Sequence, residues 1–161
     1  MQVERPESTA KLGTHPIHPM LIPFPIAFLV GAFVADVLFA MNGDAFWARA
    51  ATCLLGAGIV MALLAAVFGF IDFFGSPRIR DLSHAWQHMF ANLLAVVVAA
   101  VNFVLRIGGD AGTVPTTGLV LSGITVLILL FSGWRGGDLV YHHKVGVHDH
   151  SGDAPGSTPV H

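Results

Sequence analysis

Long apolar runs separated by short polar breaks set the pattern of this chain. Four runs reach the length a helix needs to cross the hydrocarbon of a bilayer, about 20 mostly apolar residues. The first extends from about Met20 to Met41 and the second from about Ala45 to Phe74. The third covers Ser83 to Ile107 and the fourth Pro115 to Tyr141. The breaks between them are Asn42-Gly43-Asp44, Gly75 to Asp81, and Gly108 to Gly112, each with the Gly or Pro that marks a chain reversal. No run alternates as a barrel strand would. Backbone polar groups that meet lipid must be paired within their own segment, so helices are expected. Short breaks join antiparallel neighbours, and the predicted fold is all-α: an integral-membrane up-down-up-down four-helix bundle.

Composition supports lipid as part of the solvent. Apolar residues make up 54% of the chain and charged ones 11%, against about a quarter charged in soluble domains. Net charge is near zero and no basic run occurs, which excludes nucleic acid as a partner. Cys53, the single cysteine, falls in an apolar run and is expected to be a small buried hydrophobe. The opening MQVERPESTAKLGTHP lacks the apolar core of a cleaved signal peptide, so the first span is expected to target the chain itself.

Orientation follows the basic residues near span ends. Arg5, Lys11, Arg78, Arg80, Arg135 and Lys144 fall on the side of both termini, Arg49 and Arg106 on the other, which places the termini in the cytoplasm. Trp47, Trp86, Trp134 and Tyr141 lie near span ends, as an aromatic belt would. The expected organisation is a polar cytoplasmic segment over 1–18, a transmembrane domain over 19–145, and a disordered cytoplasmic tail over 146–161. His148, His150 and His161 belong to that tail and read as solvated.

Polar residues inside the spans are scarce and patterned. His88, Asn92, Ala95, Ala99, Asn102 and Arg106 recur at spacings of three and four, on one face of the third helix, and His84 extends the row by a turn. Polar groups are expensive in lipid, so this face must look into the bundle. On the second span, Gly58, Ala62, Ala65, Gly69 and Asp72 form a row of mostly small residues suited to close helix approach. Asp36 follows His18 by the same number of residues as Arg106 follows His88. Both helices run in one direction, so a pair Asp36–Arg106 at one end and a pair His18–His88 at the other would sit at matching depths. Pro16, Pro19, Pro23 and Pro25 make the start of the first span irregular, and an extended segment at His18 is an alternative there.

Six histidines gather near one membrane surface: His15 and His18 before the first span, His84 and His88 opening the third, and His142 and His143 ending the fourth. Asp72 and Asp138 close the second and fourth spans on the same side. Imidazole ligates transition metals and haem iron, so the candidate ligands are His15, His18, His88 and His143. His84, His142, Asp72, Asp138 and Asn92 are candidates to orient them. Interfacial histidines satisfied by arginine or lipid phosphate are the plain alternative. Haem b needs two axial ligands and a flat apolar slot, for which Phe24, Phe68, Phe70, Phe73, Phe74 and Phe90 are available. A bare metal needs three or four ligands. No Glu follows Glu7, which argues against a carboxylate di-iron site. Phosphate-loop, nucleophile-elbow and zinc-protease signatures are absent.

At HPIHPMLIPFPIAF, GFIDFF, HMFAN and SGWRGGDLVYHHKVGV the chain resembles an uncharacterised family of bacterial four-span membrane proteins, domain of unknown function 2231, over roughly His15 to Val147. His15, His18, Asp72, His88, Asn92, Asp138 and His143 match its polar positions, and Arg135 departs from an apolar one. The resemblance implies a bacterial inner-membrane protein. Through members fused to Rieske-type domains, it also implies redox work in or beside a respiratory membrane. The partners to expect are the lipid bilayer, a membrane redox complex and a second copy of the chain in a homodimer. Three functions therefore compete: a haem- or metal-binding redox protein that is not itself an enzyme, a non-catalytic subunit or scaffold, and a transporter of protons, metal or small solutes.

Overall fold

A computed structural model describes residues 10–13, 15–110 and 114–142, with Lys11, Leu12 and His15 through their backbone alone. The expected tail, His143, Arg5 and Lys144 lie outside the described residues. A two-residue strand β1 (Lys11–Leu12) pairs antiparallel with β2 (His15–Pro16). Helices follow: α1 (Ile17–Leu21), α2 (Pro23–Asn42), α3 (Ala45–Gly75), α4 (Pro77–Arg80), α5 (Ser83–Ile107) and α6 (Thr116–Tyr141). Four segments are long and apolar enough to cross a membrane: Ile17–Asn42, Ala45–Gly75, Ser83–Ile107 and Thr116–Tyr141.

Local chemistry explains the boundaries. Gly43 ends α2 in a left-handed conformation at φ 70°, where a side chain would be strained, and its N–H closes on Phe39 O. Asp44 then caps α3 by accepting the Phe46 N–H at 2.8 Å. The first span differs from an extended start. His18 lies in the helical turn α1, and the helix resumes at Pro23, whose missing N–H is not needed in a first turn. The connector after α3 contains α4, with Pro77 at its first position, and Arg80 O accepts the Trp86 indole N–H at 2.8 Å.

The four long helices form an antiparallel bundle in which α2 packs on α3 and α5 on α6, while α2–α6 and α3–α5 contacts close the ring. α2 and α5 therefore stand diagonally and run in the same direction. The interior is built from small residues: Ala32, Ala35, Ala48, Ala51, Ala65, Ala95, Ala99, Gly58 and Gly118 are buried. Larger apolar residues such as Val60, Leu63, Leu64, Val67, Leu127 and Leu130 face outward. In lipid, outward leucines carry no penalty and close backbone approach supplies the contact energy, so this arrangement suits a membrane bundle. Cys53 departs from the expectation of burial: it is exposed on the lipid-facing side of α3, since the inward face there belongs to Ala51 and Leu55.

The two helical hairpins repeat one another. Phe33 of α2 packs at Gly123 of α6, with 3.4 Å between its ring and an added Cβ, and Phe103 of α5 packs at Gly56 of α3, at 3.0 Å. His18 rests on Gly69 and His88 on Gly136 in the same manner, at 2.9 and 3.0 Å. These contacts relate α2 to α5 by one constant offset and α3 to α6 by another. They are reciprocal, as a two-fold axis along the bundle would make them.

Close packing at Gly58 gives a direct test. A Cβ there would come within 2.8 Å of Leu29 Cγ and Cδ2. Gly58→Ala is expected to destabilise the bundle by about 1–3 kcal/mol through overpacking. Adding Leu29→Ala should recover part of that loss in thermal unfolding followed by circular dichroism in detergent.

Candidate functional site

Scarce polar side chains meet at two levels of the bundle. At the end away from the histidines, Arg106 on α5 and Asp36 on α2 form a two-pronged ion pair, Nη1 to Oδ1 at 2.7 Å and Nη2 to Oδ2 at 2.6 Å. Arg106 Nε donates to Asn102 Oδ1 at 2.9 Å. Asn102 Nδ2 donates to Gly118 O and to Ser122 Oγ, and the Ser122 hydroxyl donates to Asp36 Oδ2 at 2.6 Å. All four side chains are buried. Each charge has several partners, which a low-dielectric setting demands.

At the other end, His18 and His88 meet across the diagonal with ring centroids 6.3 Å apart and planes at 87°. Each ring is tied to its own hairpin. His18 Nδ1 lies 2.7 Å from Ala65 O, and His88 Nδ1 lies 2.8 Å from Ser132 O. A carbonyl can only accept, so Nδ1 carries a proton in both rings, and in the neutral form of each ring Nε2 keeps the lone pair. The partners are thus backbone carbonyls on the second helix of each hairpin. Asn92 Nδ2, one turn after His88, donates to His88 Nε2 at 3.0 Å and to His88 O at 3.0 Å. The position that corresponds to Asn92 in the first hairpin is Ile22, between α1 and α2, so the two imidazoles differ in this respect.

The other candidate residues are placed differently. Asp72 Oδ1 accepts the Ala10 N–H at 2.7 Å and so ties the N-terminal hairpin to the end of α3. Asp138 lies 3.3 Å from His142 Nδ1 and 3.4 Å from Arg135 Nη1. His142 is exposed, and Arg135 lies over the Phe131 ring at 5.3 Å. His84 is half-buried, one turn before His88. His15 is described through its backbone only, in β2, and His143 lies outside the described residues. Among the described residues no group of three or more His, Cys, Asp or Glu is arranged to hold a metal ion. The aromatic slot also differs: Phe24, Phe74 and Phe90 face outward, and Phe73 is buried edge-on against Trp86 with centroids 4.8 Å apart.

Several participants carry little sequence signal. Ser132 and Ala65 contribute backbone carbonyls, which any residue could supply. Gly136 reads in sequence as a packing or stop glycine, and its contact is the His88 ring. Ser122 is a lone hydroxyl in an apolar run; only its spacing from Gly118 marks an inward face.

The sequence model of one family, described as "Predicted membrane protein (DUF2231)", matches residues 14–149. No curated protein and no solved structure matches the chain.

Removing one partner of the buried pair should be costly. Asp36→Ala leaves the guanidinium unmatched and is expected to lower stability by about 3–5 kcal/mol. A loss under about 1 kcal/mol, typical of an exposed pair, would show that water reaches Arg106. The measurement is denaturant or thermal unfolding of wild type and variant in the same micelle.

Proposed function

The chain belongs to the family of membrane proteins described as "Predicted membrane protein (DUF2231)", and on that footing we propose that it is a small redox-associated bundle that binds haem b between His18 and His88. The observation that carries the reading is the pair of diagonal imidazoles, each with Nδ1–H fixed on a backbone carbonyl, at a centroid separation of 6.3 Å. Such second-sphere hydrogen bonds set the tautomer and aim of histidines that ligate metals. Two axial nitrogens satisfy haem iron, whereas a bare ion asks for three or four protein ligands.

The residues suit that role. Ala65, Ala91 and Ala95 beside the pair are small and buried, and Gly69 and Gly136 leave room for the rings. Asn92 occupies the His88 Nε2 lone pair and would have to release it for His88 to hold the iron. Bound haem b would supply one-electron exchange, and the chain would hold it with two imidazoles whose Nδ1–H groups are fixed on backbone carbonyls. The basic residues near the span ends, Arg78, Arg80 and Arg135, support an orientation with this end in the cytoplasm of a bacterial inner membrane.

Protein purified from cells supplied with haem precursor is expected to show the Soret and reduced α-band spectrum of a six-coordinate b-type haem. His18→Ala and His88→Ala should each lose it. A colourless wild-type preparation that also takes up no haem on titration would overturn the reading. For orientation, a reporter active only in the cytoplasm should work when fused after residue 142 and stay inactive when inserted at Gly43.

A further inference from the structure

We infer that Asp36 and Arg106 are positioning residues: their ion pair is the axial pin that sets one hairpin against the other and so holds His18 level with His88 at the opposite end. The ligand-binding side of this inference rests on the proposed bis-histidine reading; the geometric side does not.

Each imidazole is anchored inside its own hairpin, His18 to Ala65 O of α3 and His88 to Ser132 O of α6. Their meeting therefore depends on the register between hairpins. On α2 and α5 the buried residues between the two polar levels are Pro25, Leu29 and five alanines, at positions 32, 35, 91, 95 and 99. Apolar side chains gain little from association in lipid, and alanine surfaces barely resist a slip of one helical turn, about 5.4 Å. A two-pronged guanidinium–carboxylate contact does resist it, because both hydrogen bonds fail together when either helix moves. The reciprocal Phe33–Gly123 and Phe103–Gly56 contacts lie within a turn of the same charges and reinforce the pin at this end, while Phe73 against Trp86 joins the hairpins at the other.

Two equal rods carry the constraint to the other end. Asp36 lies as many residues beyond His18 as Arg106 lies beyond His88, about 27 Å at 1.5 Å per residue. The span Ile17–Asn42, made of α1 and α2, runs in the same direction as α5, so aligning their far ends aligns the histidines. The pin also obeys the repeat: positions 36 and 106 are equivalent under the two-fold relation, so exchanging their charges should rebuild it.

The test uses the full chain with Cys53→Ser, His18→Cys and His88→Cys, probed with a short bifunctional thiol reagent. With native charges the intrachain cross-link is expected to form. The apolar replacement Asp36→Leu with Arg106→Met, chosen because buried pairs often yield to apolar residues without loss of fold, should lose the cross-link. The exchange Asp36→Arg with Arg106→Asp should regain it. In chains that keep both histidines, the six-coordinate haem spectrum should be lost and regained in parallel. A folded Leu/Met variant with undiminished cross-linking overturns the pin, and so does a folded exchange variant that fails to regain it. Cross-linking that follows the charges while wild type binds no haem supports the pin and overturns the bis-histidine reading alone.

Discussion

Hydrocarbon offers no hydrogen-bond partners, and the internal organisation of this protein follows from that constraint. Every polar side chain placed within a span must find its complement inside the bundle. Asp36, Asn102, Arg106 and Ser122 do so as a closed network. His18 and His88 do so through backbone carbonyls one turn before the glycines on which they rest. Apart from Leu29, Leu55 and Thr125, the buried residues between these two levels are small, because close helix approach, and not burial of bulky groups, holds a bundle together in lipid. The exchange of large residues to the outside and alanines to the inside expresses the same physics.

The spans and their helical nature were legible in the apolar runs, because a bilayer imposes both a length and a fully paired backbone. The inward face of α5 was legible in the spacing of His88, Asn92, Asn102 and Arg106, since few polar residues occur in lipid without a partner. Equal offsets suggested that Asp36 faces Arg106 and that His18 faces His88, and these pairs stand at 2.6 Å and at 6.3 Å between ring centroids. What sequence could not show was which groups complete each site. Ala65 and Ser132 act through main-chain oxygen, which has no sequence signature, and Ser122 gains its role only from the rotation of α6. The wider histidine cluster was less predictable because residues near a helix end can turn outward. His142 does so and pairs with Asp138. The helical turn at His18 was masked by four prolines, two of which fall in the first turn of α2, where proline is tolerated.

Repetition of one hairpin was hidden at the level of residue identity. Phe33-Val34 and Phe103-Val104 echo each other, and Gly-Asp-Ala recurs at 43–45 and 109–111, but most equivalent positions differ. Packing keeps the relation where sequence has lost it, because a ring lodged against a glycine constrains two positions at once. The same relation puts the two imidazoles on either side of the axis, where a ligand would meet the same donor from both faces.

The repeat carries opposite charges at equivalent places, and this gives the hairpins a sense of self and non-self. Two copies of the first hairpin brought together would set carboxylate against carboxylate in lipid; two copies of the second would oppose guanidinium groups. Only the mixed pairing neutralises both. The chain therefore has a built-in bar to exchanging like halves between neighbouring molecules during insertion. Covalent fusion of unlike halves supplies the one partner that each of them accepts.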